Sequence, residues 1–217
     1  MANPERLIEE LLDRYGRTFA EELGIPAEKG TPSPLFRLLC ASLLFSARIS
    51  SDIAMRAARA LAEQGWTTAQ KLARSTWEER TRTLNQAGYA RYDERTSSML
   101  GDTTGLLLDK YSGDLRQLRR AAERHPARER RLLKEFKGMG DVGADIFFRE
   151  VQVAWDELRP FADDKALRAA KHLGLGNDTE SLVGLVPAKD FPRLVAALVR
   201  VDLAGDHEEV RQAAEGS

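Results

Sequence analysis

The stretch Leu132 to Arg168, LLKEFKGMGDVGADIFFREVQVAWDELRPFADDKALR, constrains the chain more than any other. Leu132, Leu133 and Phe136 keep helical spacing up to Gly138, and Ala144, Phe147, Phe148 and Val151 resume it after Gly140. Two helices are therefore joined by Gly138-Met139-Gly140, where the backbone must turn to positive φ or come close to another molecule. A helix leaving so tight a turn offers unpaired N–H groups over Asp141 to Ala144, together with the positive end of its dipole. Such a helix start binds anions, and a DNA phosphate is a suitable one. The same residues also suit an ordinary corner between helices, because a short glycine motif alone is weak evidence.

Further on, Phe161-Ala162-Asp163-Asp164-Lys165-Ala166-Leu167-Arg168 opens another helix, running through His172 to Leu175. Together the two segments resemble the helix-hairpin-helix (HhH-GPD) DNA glycosylase superfamily, the group that includes endonuclease III. In that family a hairpin L-P-G-V-G precedes a helix, and a V-D-x-H-x-x-R segment carries the essential aspartate. Here Phe136-Lys137-Gly138-Met139-Gly140 and Ala162 to Arg168 stand in those places. With Arg168 as the anchor, Asp163 matches the family's aspartate. Asp164 is its rival, but it shifts the interval to Arg168 and to Leu173-Gly174-Leu175 by one residue. Either aspartate would also serve as a plain helix N-cap.

The resemblance covers roughly Ser33 to Leu203 and implies an all-α, two-lobed fold. Residues 33–153 would form a six-helix lobe ending in the hairpin; residues 1–32 and 154–217 would form a second helical lobe carrying Asp163. It further implies DNA contacts from Lys137, Gly138, Gly140, Asp141, Val142, Gly143 and Lys165. Family members often hold a monovalent cation on hairpin backbone carbonyls, which would map to Lys134, Phe136 and Met139. Between the first two core helices the family has S-A-Q-A-T-D, whose glutamine fills the space left by an extruded base. This chain has Ser46-Ala47-Arg48-Ile49-Ser50-Ser51-Asp52, so Arg48 becomes the wedge, a guanidinium being able to stack and to donate. Arg48 also fits a plain capping role.

Two departures decide the expected chemistry. Bifunctional relatives carry a lysine two residues after the last hairpin glycine, whose amine attacks the sugar and permits strand cleavage. Here that residue is Val142, which cannot be a nucleophile, so a monofunctional, water-using glycosylase is implied. Many relatives also carry a four-cysteine cluster loop. The single cysteine, Cys40, lies in an apolar run and reads as a buried small hydrophobe, so no iron–sulfur cluster is expected. His125, His172 and His207 lack metal-ligand spacing, so zinc is not expected either.

Breaking an N-glycosidic bond builds oxocarbenium-like positive charge on the sugar. A fixed carboxylate beside the anomeric carbon stabilises that charge and can orient or deprotonate water. The base must first leave the stack, at a cost that falls for damaged or mispaired bases. The expected partner is therefore double-stranded DNA carrying a damaged or mispaired base.

Charge gives this reading little help: 33 Lys+Arg against 34 Asp+Glu leave a net charge of −1. The basic residues Arg116, Arg119, Arg120, Arg124, Arg128, Arg130 and Arg131 crowd the approach to the hairpin, interleaved with Glu123, Glu129 and Glu135 as on a solvated face.

Elsewhere the periodicities predict helices from Pro4 to Tyr15, from Pro34 to about Ala47, from Ile53 to Gln64, from a Ser75-Thr76-Trp77-Glu78 cap to Gly88, and from Arg91 to Tyr111. After Leu175 a short helix is expected at Ser181 to Val186 and a last one from Phe191 to Ala204, with a frayed tail from Ala213. Phe45, Tyr89 and Trp155 are candidates for stacking on a flipped base, although each is better suited to the core. No apolar run approaches a membrane span and Met-Ala-Asn-Pro-Glu-Arg lacks a signal-peptide profile, so a cytoplasmic monomer is expected. Two rival functions stay open: a non-catalytic helix-hairpin-helix DNA-binding protein, and a helical interaction protein without a DNA role.

Overall fold

The computed structural model describes residues 3–216, and among them no strand occurs. The helices, in chain order, are α1 (Pro4–Tyr15), α2 (Phe19–Glu22), α3 (Pro32–Phe45), α4 (Ser51–Glu63), α5 (Ala69–Leu72), α6 (Trp77–Gln86) and α7 (Asp93–Tyr111). They continue as α8 (Leu115–Ala121), α9 (Pro126–Leu133), α10 (Asp141–Val151), α11 (Asp164–Leu173), α12 (Thr179–Val183), α13 (Phe191–Ala204) and α14 (His207–Gly216). The chain divides into two compact units, one of residues 23–157 and one of the segments before and after it. No helix among the described residues is long and apolar enough to cross a membrane.

In the unit of residues 23–157, α3 is the central element because its sequence is apolar on most sides. Leu35, Phe36, Leu38, Leu39, Leu43 and Leu44 are each at most 2% exposed, and each such side chain contributes about 1.5–3 kcal/mol of hydrophobic burial. The helices α4 and α10 cover most of α3. Ser50 caps α4 by accepting the Ile53 N–H, and Thr76 and Glu79 close a reciprocal capping box at α6. After α6 the buried Tyr89 donates its hydroxyl to the Leu44 carbonyl at 2.9 Å, which pins the Gly88-Tyr89 turn to the end of α3. Tyr89 and Trp155 are thus core residues, which removes both as bases' stacking partners.

This unit holds eight α-helices rather than six. The short α5 and α8 bury only Ala69 and Leu72, and Leu115 and Leu118, too few apolar positions for a readable period. Its limits also differ from 33 and 153. Arg37 donates to the Leu23 and Gly24 carbonyls at 2.8 and 3.0 Å, and Ile25 and Ala27 are buried, which joins the glycine- and proline-rich linker to α3. At the other end, buried Trp155 and an ion pair of Glu157 with Arg119 extend the unit past Val153.

In the other unit α13 is the core helix, with Leu194, Val195, Ala196, Ala197 and Leu198 fully buried. Both α1 and α11 pack on it, and α14 packs on α1 and α11. Arg193 donates to the Gly16 carbonyl and Arg200 to that of Arg17, holding the chain after α1 against α13. Of the tail expected to fray, Ala213 to Gly216 are instead helical and Ser217 lies outside the described residues: Val210 and Ala214 are buried at a four-residue interval, so α14 has an apolar stripe with something to cover.

Candidate functional site

The hairpin is built by local backbone bonds. The Phe136 N–H bonds the Leu133 carbonyl at 3.1 Å, and the Met139 N–H bonds that of Phe136 at 2.9 Å, after which α10 begins. Its glycines serve different ends. Gly138 has φ +88°, and a Cβ there would lie 1.8 Å from Met99 Cε and 3.2 Å from Leu43 Cδ2. The positive φ demands glycine at that position, and a Cβ would in addition have to displace the flexible end of Met99. Gly140, with φ −88°, is conformationally ordinary, and a Cβ there would meet nothing within 4 Å. Nothing among the described residues requires glycine at Gly140, and the space beside it is open. Gly143 faces inward, where a Cβ would sit 2.5 Å from Met139 Sδ, so it serves the close seating of α10.

The first bond of the α10 ladder runs from the Ala144 N–H to the Gly140 carbonyl at 3.0 Å. The N–H groups of Asp141, Val142 and Gly143 precede that ladder and mark the positive end of the helix. Val142 is 60% exposed at this tip, so the position of the family's lysine is open to solvent. The Asp141 carboxylate accepts from Lys134 Nζ at 2.7 Å, with Arg130 at 3.9 Å; the Lys134 bond and charge hold it below its ordinary range. Lys137 pairs with Asp102 at 2.9 Å. Among the expected arginines, Arg116 and Arg128 form exposed ion pairs with Asp114 and Glu123, as on a solvated face, whereas the Arg130–Asp145 pair is partly buried and the Arg119–Glu157 pair largely so. No described backbone N–H bonds the Lys134 or Met139 carbonyl, while the Phe136 carbonyl accepts one. Three neutral oxygens in one turn fit a hard monovalent cation in donor chemistry.

Arg48 is exposed in the α3–α4 connection, on the rim of a pocket of about 270 Å³. Leu43, Ser46, Ala47, Tyr92, Arg95, Thr96, Met99 and the hairpin's Gly138 complete its wall. The pocket therefore brings the wedge candidate and the hairpin to one surface of the same unit, through contact of α3, α7 and the turn. The sequence reading missed Tyr92, Arg95 and Met99. Their only signal is position, in the first turns of the helix after Gly88-Tyr89. Phe45 is half-buried and lies outside that wall.

Asp163 stands at the head of α11 with extended backbone, and its Oδ1 accepts the Ala166 N–H at 3.0 Å. It is 8% exposed, whereas Asp164 is exposed and Lys165 half-buried in the first turn. The cap fixes one carboxylate oxygen of Asp163 and so orients the other.

Behind the hairpin, α9 carries a buried acid that sequence reading placed on a solvated face. Glu129 is fully buried, and burial followed by the adjacent Glu157 carboxylate pushes its carboxyl up to about 8. Burial works against the Glu157 charge as well, but Arg119, donating Nε at 2.6 Å, outweighs it and holds Glu157 down to about 2. Arg119 also stacks over Trp155, 5.3 Å from the ring centre. Cys40 is buried, which pushes its thiol up to about 12 and leaves it inert, as its apolar surroundings imply.

An all-helical chain with a glycine hairpin ahead of a capped aspartate defines the fold class, and solved structures place it. A trapped endonuclease III–DNA covalent intermediate, in an estranged-adenine complex, is 22% identical with a TM-score of 0.50 over 77% of this chain and 73% of that one. A non-covalent endonuclease III–DNA complex is 21% identical with a TM-score of 0.51 over 77% and 72%. The protein has the endonuclease III fold. No protein-family model matches the chain, and no curated protein does either.

Proposed function

We propose that the protein is a DNA base-excision repair glycosylase that hydrolyses the N-glycosidic bond of a flipped, damaged or mispaired base without cleaving the strand. The reading is carried by the endonuclease III fold together with a nearly buried carboxylate, Asp163, fixed at the head of α11 where that family's aspartate is expected. The fold's solved neighbours are DNA complexes, and the N–H groups at the tip of α10, next to the open side of Gly140, suit a backbone phosphate. A cation on the Lys134, Phe136 and Met139 carbonyls would add positive charge beside that phosphate.

In this mechanism Arg48 enters the duplex and fills the space of the extruded base. The C1′–N bond breaks with its electron pair leaving on the base, and the Asp163 carboxylate stabilises the positive charge on the sugar. Water then bonds to C1′ and gives its proton to the carboxylate. Val142 offers no amine, so no covalent enzyme–sugar adduct forms and the product is an intact strand with an abasic site.

A base-release assay on duplexes carrying alkylated purines, uracil, thymine mispairs, oxidised pyrimidines or abasic sites tests this. Breaks appearing only after hot alkali are the expected result, and the duplex that yields them names the substrate. Breaks without alkali would overturn the monofunctional part. The capping bond of Asp163 favours one other reading, a non-catalytic DNA-binding protein in which Asp163 is only a cap. DNA binding with no release from any duplex would establish that one instead.

A further inference from the structure

In the sequence His172 stands about thirty residues before the closely spaced pair Asp202 and His207; the fold brings all three together. His172 lies in the last turn of α11, Asp202 near the end of α13, and His207 at the start of α14 after the reversal at Gly205. One ligand atom of each lies within 4.8 Å of those of the other two. The two imidazoles meet edge to face at 5.3 Å between ring centres, and His207 Nε2 is 3.7 Å from Asp202 Oδ1. We propose that His172, Asp202 and His207 form a binding site for a divalent transition-metal ion of the zinc type, which fastens α14 to α11 and α13.

An independent observation points to a ligand there. His207 Nε2 is buried and has no hydrogen-bond partner. A desolvated ring nitrogen left unmatched is costly, and a metal ion supplies the missing partner. Tetrahedral zinc with bonds of about 2.0–2.2 Å holds its ligand atoms roughly 3.3–3.6 Å apart. Asp202 and His207 are nearly at that spacing, and the exposed His172 ring closes the remainder by side-chain rotation.

Chemistry selects the ion. Two imidazole nitrogens and one carboxylate oxygen, without thiolate, suit zinc, cobalt or nickel, whereas magnesium and calcium require mostly oxygen ligands. The neighbouring Asp206 carboxylate already accepts the Tyr15 hydroxyl, which leaves Asp202 as the available acid. His172 stands at the negative end of the α11 dipole, where a cation is favoured. Three ligands leave a fourth position for water. Because α11 is the helix that begins at Asp163, the ion would anchor the far end of the element presenting that carboxylate.

The test uses tag-free full-length protein, stripped with chelator and titrated calorimetrically with zinc chloride, with magnesium chloride as control. Cobalt is followed in parallel by its visible d–d bands, which report nitrogen and oxygen ligands directly. The expected result is saturable uptake of one zinc per chain, no magnesium uptake, and protection of α14 from limited proteolysis. Even changes behind the ligands cost about 10–100-fold in metal affinity, so His172→Gln and Asp202→Asn should each weaken zinc binding by at least about tenfold. His172 is exposed and Asp202 partly so, and circular dichroism checks that both variants are folded. Absent uptake, equal uptake of magnesium, or zinc affinity unmoved in either variant would overturn the site.

Discussion

Replacing Asp163 by Asn and by Ala separates a catalytic carboxylate from a helix cap, because the two changes act differently on the capping hydrogen bond that it accepts. Asp163 Oδ1 accepts the Ala166 N–H at 3.0 Å in a site only 8% exposed. Asparagine ranks with aspartate as an N-cap, so Asp163→Asn should keep this bond and change stability by less than about 0.5 kcal/mol. Alanine loses it, at a cost of about 0.5–2 kcal/mol, and the burial places the cost in the upper half of that range. For a chain of this length each kcal/mol moves Tm by about 2–4 °C, so Asp163→Ala should melt about 2–8 °C lower and Asp163→Asn within about 2 °C of the wild type. Catalysis should follow another order. Removing the carboxylate charge takes away acid–base and electrostatic help of about 10²–10⁴-fold, or about 3–5 kcal/mol of transition-state stabilisation, in both variants alike. The assay is single-turnover base release at saturating enzyme, with duplex affinity measured by anisotropy and Tm by calorimetry. A full loss of release in Asp163→Asn at unchanged Tm and unchanged DNA affinity is the expected outcome. Release within about threefold of wild type in Asp163→Asn, with activity in Asp163→Ala falling only as its stability does, would refute the catalytic assignment.

The hairpin glycines should respond oppositely. Gly138→Ala, which forces a Cβ to within 1.8 Å of Met99 at φ +88°, should destabilise by more than about 2 kcal/mol, read by urea unfolding. Gly140→Ala should cost at most about 1 kcal/mol, since the added methyl meets no described atom within 4 Å, and under the proposed function it should weaken duplex binding in anisotropy titrations. Val142→Lys places an amine at an exposed position and should give a borohydride-trapped protein–DNA adduct on an abasic duplex; an equal adduct with the wild type would contradict the monofunctional assignment. For Glu129 the folded carboxyl is raised from its ordinary 4.5 to about 8, so the folded state binds the extra proton. Its stabilising contribution is full below pH 4.5 and is lost as pH rises through 8. Glu129→Gln, which mimics the protonated form, should therefore gain stability over the wild type between pH 5 and 8, in thermal melts; a gap that narrows with rising pH would show that Glu129 is ionised in the folded protein.

The gap between sequence and structure is widest where contacts are long-range. Gly138 turns the chain through its own φ and was legible in the sequence, whereas the capping box read at Ser75 to Glu78 closes one residue further on, at Thr76 and Glu79, because Ser75 and Thr76 are both competent caps and only the packed helix start selects between them. Glu129 was not legible. Its helix is rich in arginine and reads as solvated, yet the acid is buried, with Glu157, distant in the sequence, beside it. The same holds for α14, whose two buried residues make too short a pattern to distinguish from a frayed end without α1 and α11 beside it.

What the sequence determined by itself was the set of local devices: helical periods without strand alternation, the glycine hairpin and an aspartate at a helix start. These depend on neighbours a few residues apart, so spacing and side-chain chemistry suffice to read them. Only the tertiary structure decided that Gly140 is open while Gly138 and Gly143 are filled, that Arg48 shares a pocket with the hairpin, and that His172, Asp202 and His207 converge. Those facts depend on which helix faces meet, and packing, not local propensity, settles which faces those are.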